Sequence, residues 1–174
     1  MKIQSRFTAA ATLLLALGFT AAASAESLTI SGIHNCCKGC ENGIRKAVET
    51  VKGATLSSST KTSATVEVKG KSDAKKILAA LEDAGYYGSI EGASESAATT
   101  TGRPDKQMKE ATVAGLHLCC QKCADAASEA VSSVPGVTSH TIESKAKSFD
   151  VKGDFSQQAL VAALNKAGFS GKVK

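Results

Sequence analysis

Leu28 and Ile30 alternate with Thr29 and Ser31, the period of two that marks a half-buried strand. Ile44, Ala47, Val48 and Val51 then fall at i, i+3, i+4 and i+7, the apolar stripe of a helix. Gly53 stands just past that stripe, where a glycine can close a helix with positive φ. Two strand-like runs follow, Ala54–Ser58 and Ala64–Lys69, with the polar Ser59–Ser63 between them as a hairpin turn. Ala74, Ile77, Leu78, Leu81 and Ala84 predict a second helix, with Ser72 or Asp73 as its cap and Gly85 as its end. A short, weak strand over Gly88–Glu91 closes the unit.

The same pattern returns 83 residues later. That shift aligns Ile30–Glu91 with Val113–Lys174 without a gap, and about 19 of 62 positions are identical. In the second copy the first helix reads Ala127, Ala130, Val131 and Val134, with Pro135 and Gly136 stopping it. Strand, helix, strand, strand, helix, strand is the split βαβ, or ferredoxin-like, plan. The expected fold is therefore α+β: two tandem ferredoxin-like (βαββαβ) domains, over 26–91 and 111–174. Between them, 92–110 is rich in Ala, Ser, Thr and Gly around Arg103-Pro104, with Met108 its one large apolar residue, and reads as a flexible linker.

Before the first strand, Lys2 and Arg6 precede an apolar run from Phe7 to Ala23, and Ala23-Ser24-Ala25 offers small residues for cleavage. This is the layout of a secretory signal peptide over 1–25, leaving Glu26 as the first mature residue and placing the protein in the periplasm or outside the cell. A transmembrane anchor is the competing reading of a run this long; the small-residue site favours cleavage. No Cys follows that site to carry a lipid, and no later stretch suits a membrane span.

Composition narrows the function. Removing the signal lowers the net charge from +5 to +3, and the lysines are scattered among acids. A nucleic-acid surface needs a clustered basic stripe with aromatics for stacking, and neither is present. Trp is absent and aromatics are 4% of the chain, so a deep aromatic pocket for a large organic ligand is not expected. Nor is there a phosphate loop, a Ser/His/Asp set or a pair of carboxylates placed for catalysis.

All six cysteines lie in two short stretches, His34-Asn35-Cys36-Cys37-Lys38-Gly39-Cys40 and His117-Leu118-Cys119-Cys120-Gln121-Lys122-Cys123. Cys37 and Cys120 fall at the start of the first helix of each unit, with Cys40 and Cys123 one turn on and on the same side. Cys36 and Cys119 sit in the turn before, and His34 and His117 at the strand end. A helix N-terminus favours the thiolate, and Lys38 and Lys122 add positive charge nearby. Soft thiolates select Cu(I), Zn(II), Cd(II) or Hg(II) over Mg or Ca. Three sulfurs and one imidazole per loop could close a Cys₃His set, as in structural zinc sites. Alternatively, two sulfurs suit a linear ion, with the third left for transfer or a trigonal site.

A Cys-x-x-Cys at the first strand-to-helix junction of a 65-residue ferredoxin-like unit resembles the heavy-metal-associated domain family. The resemblance covers nearly all of the chain after the signal, twice. It implies metal binding through Cys37 with Cys40 and Cys120 with Cys123. Gly32-Ile33 and Gly115-Leu116 match the Gly-Met of the family motif, and two further residues then bring His34 and Cys36, or His117 and Cys119, into the loop.

The expectation is an exported, non-enzymatic protein that sequesters a soft metal ion, Cu(I) or Zn(II) foremost, or hands it to a metal-transporting or metal-receiving protein. Each domain is expected to offer one site, from His34, Cys36, Cys37 and Cys40 or from His117, Cys119, Cys120 and Cys123. Two other classes remain open. One is a dithiol–disulfide redox protein using the Cys-x-x-Cys pairs; the oxidising compartment favours disulfides, but three cysteines per unit cannot all pair internally. The other is an interaction module that metal or a disulfide merely staples. His140 has no counterpart in the first copy and reads as a strand residue, while Tyr86 and Phe169, at matching positions, read as core packing near the loops.

Overall fold

Apolar stripes at helical and strand periods assemble into two βαββαβ units in the computed structural model, which describes residues 25–69, 74–90 and 105–174. The first unit runs β1 (Ala25–Ser31), α1 (Lys38–Glu49), β2 (Ala54–Ser59), β3 (Ser63–Lys69), α2 (Ala74–Asp83) and β4 (Ser89–Ile90). The second runs β5 (Gln107–Ala114), α3 (Gln121–Ser132), β6 (Val137–His140), β7 (Ser148–Ser156), α4 (Gln157–Lys166) and β8 (Lys172–Val173). The 83-residue shift carries α1 onto α3, α2 onto α4 and β4 onto β8 with no remainder.

Each unit forms a four-stranded antiparallel sheet, in the orders β2-β3-β1-β4 and β6-β7-β5-β8. The alternation read along the chain is the alternation in space. Ala64, Val66 and Val68 of β3 all point inward against Ile44, Ala47 and Val48 of α1 and Ile77, Leu78 and Leu81 of α2. The second core repeats this with Phe149, Val151, Val131, Leu160 and Leu164. Each Val, Leu, Ile or Phe among these, fully buried, contributes about 1.5–3 kcal/mol, which small domains depend on. Arg45 adds a tie between layers by donating to the Leu56 carbonyl at 3.2 Å.

Two expected boundaries move. Residues 107–110, assigned to the linker, belong to β5: Met108 pairs with Phe155 and is buried, so the one large apolar residue of that stretch was a core signal. Ala25, assigned to the signal, opens β1 opposite Lys69. The rest of the signal, the Ser72/Asp73 cap, Glu91 at the end of the first domain and residues 92–104 of the linker lie outside the described residues. Among the described residues no helix is long and apolar enough to cross a membrane.

Candidate metal centre

Each cysteine loop leaves its first strand through a glycine at positive φ, Gly32 (+80°) or Gly115 (+88°), and enters its helix through a cysteine. Cys37 and Cys120 are the extended N-cap residues of α1 and α3, with φ of −159° and −154°. Neither caps with its side chain, so both sulfurs are left for other partners. The loops are pinned from behind. The Asn35 backbone N–H donates to the Lys61 carbonyl (3.0 Å) and its side chain to that of Thr60 (2.8 Å). In the second loop Leu118 does the equivalent by burial, and its carbonyl accepts from the Lys145 N–H at 2.6 Å.

The two loops meet. The Gly85 carbonyl accepts from the backbone N–H groups of His117 (3.4 Å) and Ser170 (3.2 Å), while the Gly168 carbonyl accepts from those of His34 (3.4 Å) and Tyr87 (3.0 Å). Tyr86 and Phe169 pair as an antiparallel bridge between the repeats. His34 stacks on Phe169 with ring centroids 4.5 Å apart, and His117 stacks on Tyr86 at 4.6 Å. Every one of these contacts has its counterpart on exchanging the repeats, so the chain forms a pseudo-twofold dimer of its own halves. Gly85 and Gly168 have φ of +86° and +83°, and a side chain at either would overlap the backbone of the opposite loop. Glycine here is required twice over, by conformation and by close approach.

This contact merges the expected pair of sites into one. Within repeats, Sγ atoms approach at 3.7 Å (Cys36–Cys40), 3.8 Å (Cys37–Cys40), 3.6 Å (Cys119–Cys123) and 3.8 Å (Cys120–Cys123). Between repeats they approach as closely. Cys36 lies 3.8 Å from Cys120 and 3.5 Å from Cys123, and Cys37 lies 3.5 Å from Cys119 and 3.9 Å from Cys120. Cys40 stands 3.6 Å from both Cys119 and Cys123. All six thiols are free, far beyond the roughly 2.05 Å of a disulfide. The expectation of one independent site per domain gives way to a single six-sulfur cluster, because the loops sit on the pseudo-twofold axis.

Cys40 and Cys123 are fully buried, and the other four cysteines are half-buried. Six thiols at this spacing cannot ionise independently. The hydrogen bond from the Cys123 thiol holds Cys40 far down, at about 2, and the same bond, with burial, pushes Cys123 up. Burial pushes Cys36 up to about 12 and Cys119 up as well. The backbone amide of Cys123, on the first turn of α3, draws Cys120 down to about 7. Without metal, then, the cluster mixes thiolates with thiols that hold their protons.

The histidines face this cluster rather than the solvent. Nε2 of His34 and of His117 is buried without a hydrogen-bond partner, a costly arrangement unless something occupies the space it faces. His34 lies within ligand spacing of Cys36 and of Cys123, the latter from the opposite repeat. Burial lowers its pKa, so the ring is the neutral form that can ligate. A neutral imidazole within ligand spacing of two thiols fits a soft metal ion. His140, as expected, is a strand residue, 3.3 Å from the Ser132 hydroxyl. Tyr86 and Phe169 are fully buried near the loops, and Tyr86 donates to the Cys40 carbonyl at 3.1 Å. Their stacking across the repeats was not legible from one unit; the aromatic at matching positions after each Ala-Gly pair was its only trace.

A ferredoxin-like pair of domains presenting a thiolate cluster at the first strand-to-helix junction defines a soft-metal-binding protein. The profile of the Heavy-metal-associated domain family matches at residues 27–87 and again at 112–170, and the chain belongs to that family, in two tandem copies. Comparison with curated proteins gives no match. Among solved structures, one described as "Crosstalk between Cu(I) and Zn(II) homeostasis" is similar at 25% identity and a TM-score of 0.32, covering 40% of this chain and 99% of its own. The N-terminal soluble domains of Bacillus subtilis CopA are similar at 16% identity and a TM-score of 0.32, covering 87% of this chain and 95% of theirs.

Proposed function

We propose that this protein is an exported carrier or store for a soft metal ion, Cu(I) foremost, bound jointly by both domains. The observation that carries this reading is the six-sulfur cluster, in which sulfurs of opposite repeats stand as close as sulfurs of the same loop. Cu(I) is favoured over Zn(II) because the cluster is rich in soft donors and among the described residues brings no carboxylate into ligand spacing. Enclosure by both repeats suits holding the ion against exchange. Release to a receiving protein then requires the loops to part, which a partner offering its own thiolates can drive. The signal-like N-terminus supports export, where Cu(I) traffic outside the cytoplasm needs shielding from oxidation.

Metal analysis of anaerobically purified and reconstituted protein, paired with thiol titration, tests the reading. Bound Cu(I) that protects all six thiols from titration is expected. Absence of any Cu, Zn, Cd or Hg after reconstitution removes it. The Cys37→Ser, Cys40→Ser double variant tests the joint site: it should lose more than half of the bound metal, whereas independent sites would lose half.

A further inference from the structure

The six sulfurs form a recognisable polyhedron. Cys36 and Cys37, and likewise Cys119 and Cys120, lie within 4.8 Å of each other. With the ten closer pairs already given, every sulfur then has four neighbours and one opposite, the opposites being Cys36/Cys119, Cys37/Cys123 and Cys40/Cys120. Six vertices with four neighbours each make an octahedron. Three of its triangular faces, Cys36-Cys37-Cys40, Cys37-Cys119-Cys120 and Cys40-Cys119-Cys123, meet pairwise at single vertices. The face Cys36-Cys120-Cys123, with edges of 3.8, 3.8 and 3.5 Å, meets each of the other three in the same way. Together these four alternate faces use every sulfur twice.

We propose that the cluster is a four-metal cage: one Cu(I) on each of four alternate faces, with all six thiolates bridging two ions apiece. The proposal rests on the soft-metal reading above and specifies how many ions are bound and how. A triangle with edges of about 3.6 Å has its corners about 2.1 Å from its centre, so an ion at the usual metal–sulfur length of about 2.3 Å sits just outside the face. The spacing therefore fits three-coordinate ions. Zn(II), which takes four ligands, would need a further donor on each face, and the two histidines cannot supply four. His34 lies beside the Cys36–Cys123 edge, and the rings of His34 and His117 are held by stacking on Phe169 and Tyr86.

The charges balance simply. Four Cu(I) ions and six thiolates carry a net charge of two minus, and loading a fully protonated cluster releases six protons. The cage meets the N-termini of both α1 and α3, whose dipoles favour that negative charge. No oxidant or reductant is involved.

Anaerobic Cu(I) titration of the full chain, followed by native mass spectrometry and copper X-ray absorption, tests the cage. The expected result is a dominant species with four copper ions, filled cooperatively from the apo form, with a copper–copper scattering shell. Saturation at two ions without that shell would overturn the cage while leaving soft-metal binding intact; no bound copper would overturn both. The Cys36→Ser, Cys119→Ser double variant removes two opposite vertices and should hold at most two ions. Retention of four would show that bridging through these residues is not needed, and the cage would be wrong.

Discussion

At the scale of single residues, the two repeats differ in ways that compensate. Gly43 of α1 leaves room for the Tyr86 hydroxyl; a methyl there would overlap it. At the equivalent positions the second repeat has Ala126 and Phe169, a methyl gained and a hydroxyl lost. Gly43→Ala alone is expected to destabilise the protein despite the roughly 1 kcal/mol by which Ala improves a helix interior over Gly. Adding Tyr86→Phe should restore stability, with a coupling of about 1–2 kcal/mol in a urea-denaturation double-mutant cycle. Additive effects would show that the pairs are unrelated. His34→Phe preserves a ring to stack on Phe169 and deletes the orphaned nitrogen. Competition against a chromophoric Cu(I) chelator should find affinity lowered about 10- to 100-fold, the usual cost of losing a group that supports a metal site. Unchanged affinity would leave the ring a stacking role alone. The pH dependence follows from Cys36, pushed up to about 12, and Cys119, also pushed up: near neutrality both hold protons in the apo protein. Metal displaces those protons, so apparent affinity must rise with pH, and a flat profile between pH 6 and about 9 would contradict the ligation of these two residues.

At the scale of elements, most of the fold was legible because each helix and strand buries one face and its period says so. Ile44, Ala47 and Val48, and the alternating Ala64, Val66 and Val68, are core residues in place as well as in pattern. The strand β5 was read too short. Its start combines Met108 with polar neighbours, and only pairing with Phe155 across the sheet distinguishes it from a tether. The Ser156 hydroxyl accepts from the Ala159 N–H at 3.0 Å at the start of α4, so Ser156→Ala should cost about 1 kcal/mol in thermal or urea unfolding. Helices α1 and α3 begin without such a bond, at Cys37 and Cys120. At α3 the first-turn amide of Cys123 instead favours the Cys120 thiolate.

At the scale of the whole molecule, the domains are two halves of one site. The Gly85 and Gly168 carbonyls, the crossed histidine–aromatic stacks and the sulfur contacts all lie along the same axis. An ion bridging sulfurs of both loops would bind the assembled pair more tightly than either domain alone and so stabilise their association by mass action, by up to about 2.7 kcal/mol at a hundredfold excess over Kd. Calorimetry of the copper-loaded chain should show a single transition that shifts downward when a strong Cu(I) chelator strips the metal. Equal melting profiles with and without metal would mean that the ion does not bridge the repeats.

The sequence by itself determined the duplication, the order of elements in each unit and the eight residues in the two loops that carry sulfur or imidazole near the site. These are local properties: periodicity, turn residues and spacing act over a few positions. Only the tertiary structure decided that the two loops form one cluster. Cys36 and Cys123 are 87 positions apart in the chain and 3.5 Å apart in space. Their meeting depends on backbone hydrogen bonds from Gly85 and Gly168, and on ring stacking between repeats. Such contacts leave no period in either repeat, since each half supplies only one side of them.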